Sequence, residues 1–286
     1  MSRYKITFIT PLFSKGALET PEIRPPSIRG QLRWWFRALG GTYDDEKAVF
    51  GGVHQGATAS KVVIRVSHVQ GETAEHKTLP HKHGGMSSPK AAFSPDYSSF
   101  ELHVLTRGGG FMLDRQKERF ERSLAAWMHV GTLGLRATRA AGSFVWEPLS
   151  EDGLQHMPET RDAYEAQCRE ILAQAPLRWA VLDKRYESAE DARRVVSDTL
   201  GGRDDRDGES DLTRLNFPLG KISRGRKTSP LRFRIVSPGN NGFYIAAVWD
   251  DRQAVTGNRP GDLEGLVRLL QRRKPELGDQ LVKIIR

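Results

Sequence analysis

Hydrophobic and polar positions alternate over Arg3–Thr10, with Tyr4, Ile6 and Phe8 on one side, which predicts a β-strand. After a loop over Pro11–Pro26 the period lengthens to that of a helix. Ile28, Leu32, Trp35 and Leu39 share one stripe, with Phe36 at its edge. Ser27 is the expected N-cap, and the proline pair is expected to stay outside the helix. Val62–Val66 and Phe100–Thr106 read as strands, Asp114–Val130 as a second helix and Ser143–Trp146 as a fourth strand. Gln70–Pro95, rich in Gly, Ser, Pro and His, reads as a long exposed insertion whose order the sequence leaves open. The order β-α-β-β-α-β is the split βαβ of a ferredoxin-like domain. Sheets of that kind are a frequent RNA platform.

The second half is less regular. Tyr164, Cys168, Ile171 and Leu172 have helical spacing, Leu177–Leu182 suggests a strand and Ala189–Leu200 a helix. Leu231–Val236 and Phe243–Trp249 suggest a hairpin about Pro238–Gly242, followed by a helix over Asp262–Arg272 and a last strand over Leu281–Ile285. The expectation is an α+β fold of two ferredoxin-like domains, 1–150 and 151–286, the second degraded, joined through Pro148–Pro158.

Charge changes the picture at the first helix. The chain has 286 residues and 38% hydrophobic content, enough for one large core or two small ones. Its 44 Lys+Arg against 35 Asp+Glu leave a net charge of +9, which favours a polyanionic partner. Arg29, Arg33 and Arg37 recur at i, i+4, i+8 beside the apolar stripe, with Arg24 just before the helix. Like charges at that spacing weaken an isolated helix by a few tenths of a kcal/mol per pair. Guanidinium groups beside a helix N-terminus make sense if phosphates lie there. Trp35 belongs to the core stripe. Trp34 points elsewhere, free either to stack on a base or to pack under a neighbouring loop. A glycine-rich stretch, Gly131 to Gly142 with Gly134, Arg136 and Arg139, permits close backbone approach and adds charge. The helix and this loop are expected to line one basic groove, with Arg24, Arg29, Arg33, Trp34, Arg37, Gly134, Arg136 and Arg139 contacting RNA.

Candidate chemistry is sparse. No Gly-x-Gly-x-x-Gly and no Walker A sequence is present. His54 is the best acid–base candidate for a metal-independent ribonuclease, yet neither an orienting carboxylate nor a second histidine is evident near it. His76, His81 and His83 lack a nearby cysteine, and Lys77 and Lys82 interrupt them as zinc ligands. Asp204, Asp205, Asp207 and Glu209 lack the spacing of a calcium loop, and Ser87-x-x-Lys90 lies in the insertion rather than at a helix start. Asp44-Asp45 read as a solvated turn, and Trp127 and His129 as packing residues. No catalytic site, metal or cofactor is expected. The single cysteine, Cys168, is expected to be buried, excludes an intramolecular disulfide and fits a reducing cytosol. With no signal-peptide or membrane-span pattern, a cytoplasmic protein without membrane contact is expected.

The run Ile23-Arg24-Pro25-Pro26-Ser27-Ile28-Arg29-Gly30-Gln31-Leu32-Arg33-Trp34-Trp35-Phe36-Arg37-Ala38-Leu39 resembles the N-terminal signature of the RAMP-superfamily subunit-one family of Cmr-type (type III-B) CRISPR effector complexes. Val49-Phe50-Gly51, the Gly131–Phe144 loop, Phe217-Pro218-Leu219-Gly220 and Lys227-Thr228-Ser229-Pro230-Leu231 are similar to further parts of that pattern, although Ala140-Ala141 stand where the loop usually carries more Gly and Arg. The resemblance implies two ferredoxin-like domains and a noncatalytic subunit of a ribonucleoprotein in antiviral defence. Its implied partners are guide RNA (the 3′ part), target RNA and other RAMP subunits. It also implies that Arg24, Arg29, Arg33 and the tryptophans belong to the RNA-contacting segment. Two readings from other classes predict different behaviour: a CRISPR-RNA-processing endoribonuclease would cleave RNA through His54, and an assembly subunit would show no affinity for free RNA.

Overall fold

A computed structural model describes the chain except for residues 17–18, 55, 108–111, 202–228, 251, 253–270, 272–274 and 286. The segments 204–209, 217–220 and 227–228, and all of the expected helix at 262–272 but Gln271, therefore lie outside the described residues.

In the N-terminal half, β1 (Ser2–Phe8), β2 (Val62–Gln70), β5 (Ser99–Thr106) and β6 (Phe144–Pro148) form one antiparallel sheet in the order β2-β5-β1-β6. Counting only these four strands, the order is second, third, first, fourth, the arrangement of a ferredoxin-like sheet. Tyr4, Ile6 and Phe8 alternate onto the inner face beside Phe100, Leu102, Phe144 and Trp146, all of them buried. Helices α1 (Pro25–Ala38) and α3 (Asp114–Val130) close that face with Ile28, Leu32, Trp35, Phe36, Leu124 and Trp127.

Three expectations in this half are corrected. The N-cap of α1 is Arg24, and both prolines sit inside the first turn, where a missing N–H costs no helical hydrogen bond. Asp44-Asp45 open a further helix, α2 (Tyr43–Phe50), whose cap is the Thr42 hydroxyl accepting from the Asp45 amide at 3.1 Å. Its acidic first turn complements the helix dipole. The insertion is a hairpin of β3 (Thr73–Lys77) and β4 (Pro89–Phe93), tied to the domain by a bridge from Phe93 to Leu12, with Thr78, Ser87, Ala92 and Phe93 buried.

In the C-terminal half, α4 (Arg161–Ile171) carries the buried Tyr164 and Cys168. Strands β7 (Leu177–Val181), β8 (Leu231–Val236) and β9 (Tyr244–Asp250) form an antiparallel sheet in the order β7-β9-β8, beside α5 (Ala189–Gly201). The expected strand at Leu281–Ile285 is instead the end of a helix, α6 (Pro275–Ile285), with Leu277, Leu281 and Ile284 buried at helical spacing. Strand β8 has two different faces. Leu231, Phe233 and Ile235 join the core under α5 and α6. Arg232 and Arg234 reach the N-terminal half, Arg232 over the Trp34 ring and Arg234 to carbonyls of α3 and β6. One apolar cluster runs through both halves, from Tyr4 and Trp127 to Tyr164, Leu177 and Val248.

Candidate nucleic-acid interface

Helix α1 presents its basic stripe away from the sheet, and α2 decides what that stripe can do. The Glu46 side chain is 0% exposed. Arg33 Nε donates to one carboxylate oxygen at 2.5 Å and Arg37 Nη1 to the other at 2.7 Å. Two of the three arginines are thus held by an intramolecular carboxylate that helical-wheel reasoning on α1 alone could not supply. Arg29, one turn nearer the N-terminus, has neither an ion pair nor a hydrogen bond among the described residues. Partial burial, and then the neighbouring Arg33 guanidinium, lower its pKa. Arg24 is likewise unpaired at the helix entrance.

Beside Arg29 lies an open groove of about 810 Å³, walled by Pro26, Arg29, Gly30 and Arg33 on one side and by Gly51–Val53 and Ala57–Ala59 on the other. The second wall is built tightly. Gly52 and Thr58 exchange backbone hydrogen bonds at 3.1 and 2.8 Å. Gly51 has φ +73°, and a Cβ there would stand 2.6 Å from the Thr58 carbonyl oxygen. The result is a fixed concave surface with an unpaired cation in it and no carboxylate among its lining residues.

Trp34 is half-buried. The Arg232 guanidinium stacks on its ring at 3.6 Å and Arg252 lies 6.0 Å away, so this face is occupied by the protein's own cation. Arg252 is in turn held by the buried Asp250 carboxylate at 2.7 Å and donates to the Arg37 carbonyl at 2.8 Å.

The glycine-rich loop is elsewhere. None of Gly134, Arg136 or Arg139 lines the groove. A Cβ at Gly134, φ +85°, would lie 2.6 Å from the Phe13 carbonyl oxygen, and one at Gly142 would overlap the Leu133 carbonyl. Packing against the chain's own backbone therefore accounts for both glycines. Arg136 and Ala140 flank a short 3-10 turn, both with left-handed backbone, and Arg136 lies near enough to the buried Arg193 to lower its pKa, after desolvation and against Glu190. Arg234 spans both ends of this loop, donating to Trp127 and Gly131 carbonyls at 3.1 and 2.5 Å and to that of Phe144. Burial pulls its pKa down to about 10.

His54 is exposed, and its ring meets the Tyr43 ring edge-on at 5.9 Å with no hydrogen-bond partner among the described residues. His129 and Trp127 are packing residues, both fully buried. His81 and His76 hydrogen-bond Ser197 and Ser94 rather than converging on a common point. No group of three or more His, Cys, Asp or Glu among the described residues is arranged to hold a metal ion. Sequence reasoning missed a polar cluster on the outer sheet face. There Ser67 Oγ lies 2.7 Å from His103 Nε2 and 3.1 Å from His68 Nδ1, with Glu101 3.4 Å from His68. Only the cross-strand pairing of Ser67 with Glu101 and Arg65 with His103 reveals it, because these residues are far apart in the chain. No helix of the described residues is long and apolar enough to cross a membrane.

Comparison with known proteins agrees with this architecture. The CRISPR system Cmr subunit Cmr1-1 of Pyrococcus furiosus is 28% identical over 167 residues, 50% of this chain and 46% of that protein. The chain's match thus spans about half the length of that relative. Cmr1-2 of the same organism is 27% identical over 187 residues, 52% of this chain and 96% of that protein. Among solved structures, Cmr1 from Pyrococcus furiosus in its apo form superposes with a TM-score of 0.56 at 19% identity, over 87% of each chain. A chain of the type III-B Cmr-beta complex bound to cognate target RNA and AMPPnP, in the presence of ssDNA, does so with a TM-score of 0.61 at 11% identity, over 97% of this chain and 99% of that one. Residues 5–145, just under half of the chain, match the family model of the RAMP superfamily, so the N-terminal half, with its ferredoxin-like sheet, is similar to that superfamily and to its Cmr1 relatives.

Proposed function

We propose that this chain is a noncatalytic, RNA-binding subunit of a type III-B CRISPR effector, and that the groove beside Arg29 holds the RNA backbone. The observation that carries the reading is Arg29 itself, a partly desolvated guanidinium with no protein partner in a preformed cleft. Such a group gains by meeting a phosphate, which accepts two of its hydrogen bonds at once. Arg24 extends the positive surface at the entrance, and Arg33, held by Glu46, adds charge to the wall. Arg37 and Trp34 lie on α1 outside the groove's lining, and the loop residues Gly134, Arg136 and Arg139 are not part of this groove. The relatives' names give a CRISPR Cmr subunit and a complex bound to target RNA. For this chain we take the partners to be guide or target RNA and the other RAMP subunits of the complex, in the cytoplasm.

Cross-linking of the purified chain to single-stranded RNA tests this. The reading expects cross-linked peptides from residues 23–37 and 51–60 and intact RNA in the same tubes. Cross-links confined to other surfaces would refute the groove. A second reading, a metal-independent ribonuclease, gains support from the His68–Ser67–His103–Glu101 cluster on the open sheet face rather than from His54. It predicts RNA cleavage that disappears in His103→Ala.

A further inference from the structure

We infer that the exposed Tyr43–His54 ring pair at the rim of the Arg29 groove is a nucleobase-stacking site, which seats an unpaired RNA base while the groove holds its phosphate. The inference rests on the reading of that groove as an RNA-backbone site.

Both rings are out of the core. Tyr43 is 55% exposed at the first turn of α2, and His54 is exposed on the loop that forms the groove's far wall. Neither the Tyr43 hydroxyl nor the His54 imidazole has a hydrogen-bond partner among the described residues, so neither side chain has a structural bond to satisfy. Yet their positions are fixed. The rings meet edge to face, 5.9 Å between centroids at 84°. Lys47 Nζ donates to the His54 carbonyl, and the Gly52–Thr58 backbone pair closes the loop behind it. A solvent-facing ring pair whose two rings brace each other offers a π-face for a base.

Its surroundings select an anion rather than an apolar protein surface. Asp44, Asp45 and Glu46 follow Tyr43, but Asp45 is held by Arg115 and Gln116 and Glu46 by Arg33 and Arg37, leaving Asp44 as the exposed acid beside the pair. From Lys47 to Gly71 the sequence contains Lys47, Lys61 and Arg65 and not one Asp or Glu. Val53, next to His54 and 87% exposed, lines the groove with Arg29 and Arg33, which places the rings beside the phosphate-binding wall. A ligand that is anionic along one edge and aromatic along the other is a single-stranded nucleic acid. Because every base has a π-face, this pair would accept any of the four without reading sequence. An acidic protein would use the cations and ignore the rings.

The test measures binding of the full chain to two probes of equal length and charge: a single-stranded RNA, and the same ribose-phosphate oligomer with abasic positions. Tyr43→Ala and His54→Ala are each expected to weaken binding of the base-containing RNA roughly tenfold and to leave the abasic oligomer unchanged. Tyr43→Phe should retain wild-type affinity, since the ring and not the hydroxyl is used. Arg29→Ala should weaken both probes. If the ring variants, with unchanged melting temperature, bind both probes like wild type while Arg29→Ala weakens both, the stacking site is refuted and the groove stands. If Arg29→Ala changes neither probe, or wild type binds neither, both readings fail. Equal losses on both probes in Tyr43→Ala would also overturn it, showing that the ring supports the loop rather than a base.

Discussion

Arg29 and Arg33 stand one turn apart on the same helix face, yet Glu46 gives them different work. With Arg33 and Arg37 satisfied by a buried carboxylate, their charges are part of the fold. Replacing Glu46 by Gln is expected to cost about 1–3 kcal/mol of stability in a denaturant melt, because a buried charge-assisted network loses its anion. RNA affinity should hold or rise in the same variant, since two guanidinium groups are released. A loss of both would show that α2 rather than Arg29 organises the groove. His129 offers a test of packing. Burial is the main cause that lowers its pKa to about 4, with Nδ1–H donating to the Ala125 carbonyl at 2.8 Å. A histidine depressed when folded leaves the unfolded chain as the stronger proton binder. Its contribution is fully present above the ordinary value of 6.5 and is lost as pH falls towards 4, to the extent of about 3 kcal/mol. Urea midpoints of wild type should therefore drop more steeply between pH 7 and pH 4.5 than those of His129→Gln. Parallel pH curves would contradict this.

Among the elements, β8 explains why one half of the chain reads more easily than the other. The N-terminal strands and α3 bury one face against their own helices, so their periods are visible in the sequence, and α3 begins and ends where the pattern places it. Leu231-Arg232-Phe233-Arg234-Ile235 alternates too, but its polar face is buried against the other half, which alternation alone does not reveal. The last helix, α6, was legible only as a short apolar run, and its i, i+4 burial of Leu277 and Leu281 was masked by the β-branched residues beside them. Helix α2 was missed because its polar first turn looks like a solvated turn until Thr42 is recognised as a cap. Of the candidate site, α1 and its arginine stripe were readable, but which arginine stays unpaired was not, because that is decided by Glu46 on α2. The loop at Gly131–Gly142 was misplaced, because glycines required by close backbone packing and glycines required by a phosphate look identical in sequence. Arg234→Ala tests the β8 assignment: it removes the donor shared by three buried carbonyls and should destabilise the fold by about 3 kcal/mol in thermal or urea melts. A change below about 0.5 kcal/mol would mean that Arg234 does not join the halves.

Across the whole molecule, the halves are not independent beads. They share the apolar cluster, and the insertion clasps α5: Arg193 donates to the Lys77 carbonyl at 2.9 Å and His81 pairs with Ser197 at 2.7 Å. Heating should accordingly give one cooperative transition, with coincident midpoints by far-UV and near-UV circular dichroism, and two separated transitions would contradict a shared core. Within the N-terminal half, the Gly52–Thr58 backbone pair holds the wall that faces Arg29, which is what the proposed RNA-backbone groove needs. The most direct measurement of that proposal is the salt dependence of single-stranded RNA binding by wild type and Arg29→Ala. If Arg29 neutralises one phosphate, the variant binds more weakly and the slope of log K against log salt shrinks by about 0.7. An unchanged slope in a folded Arg29→Ala variant would contradict the claim that RNA lies in this groove.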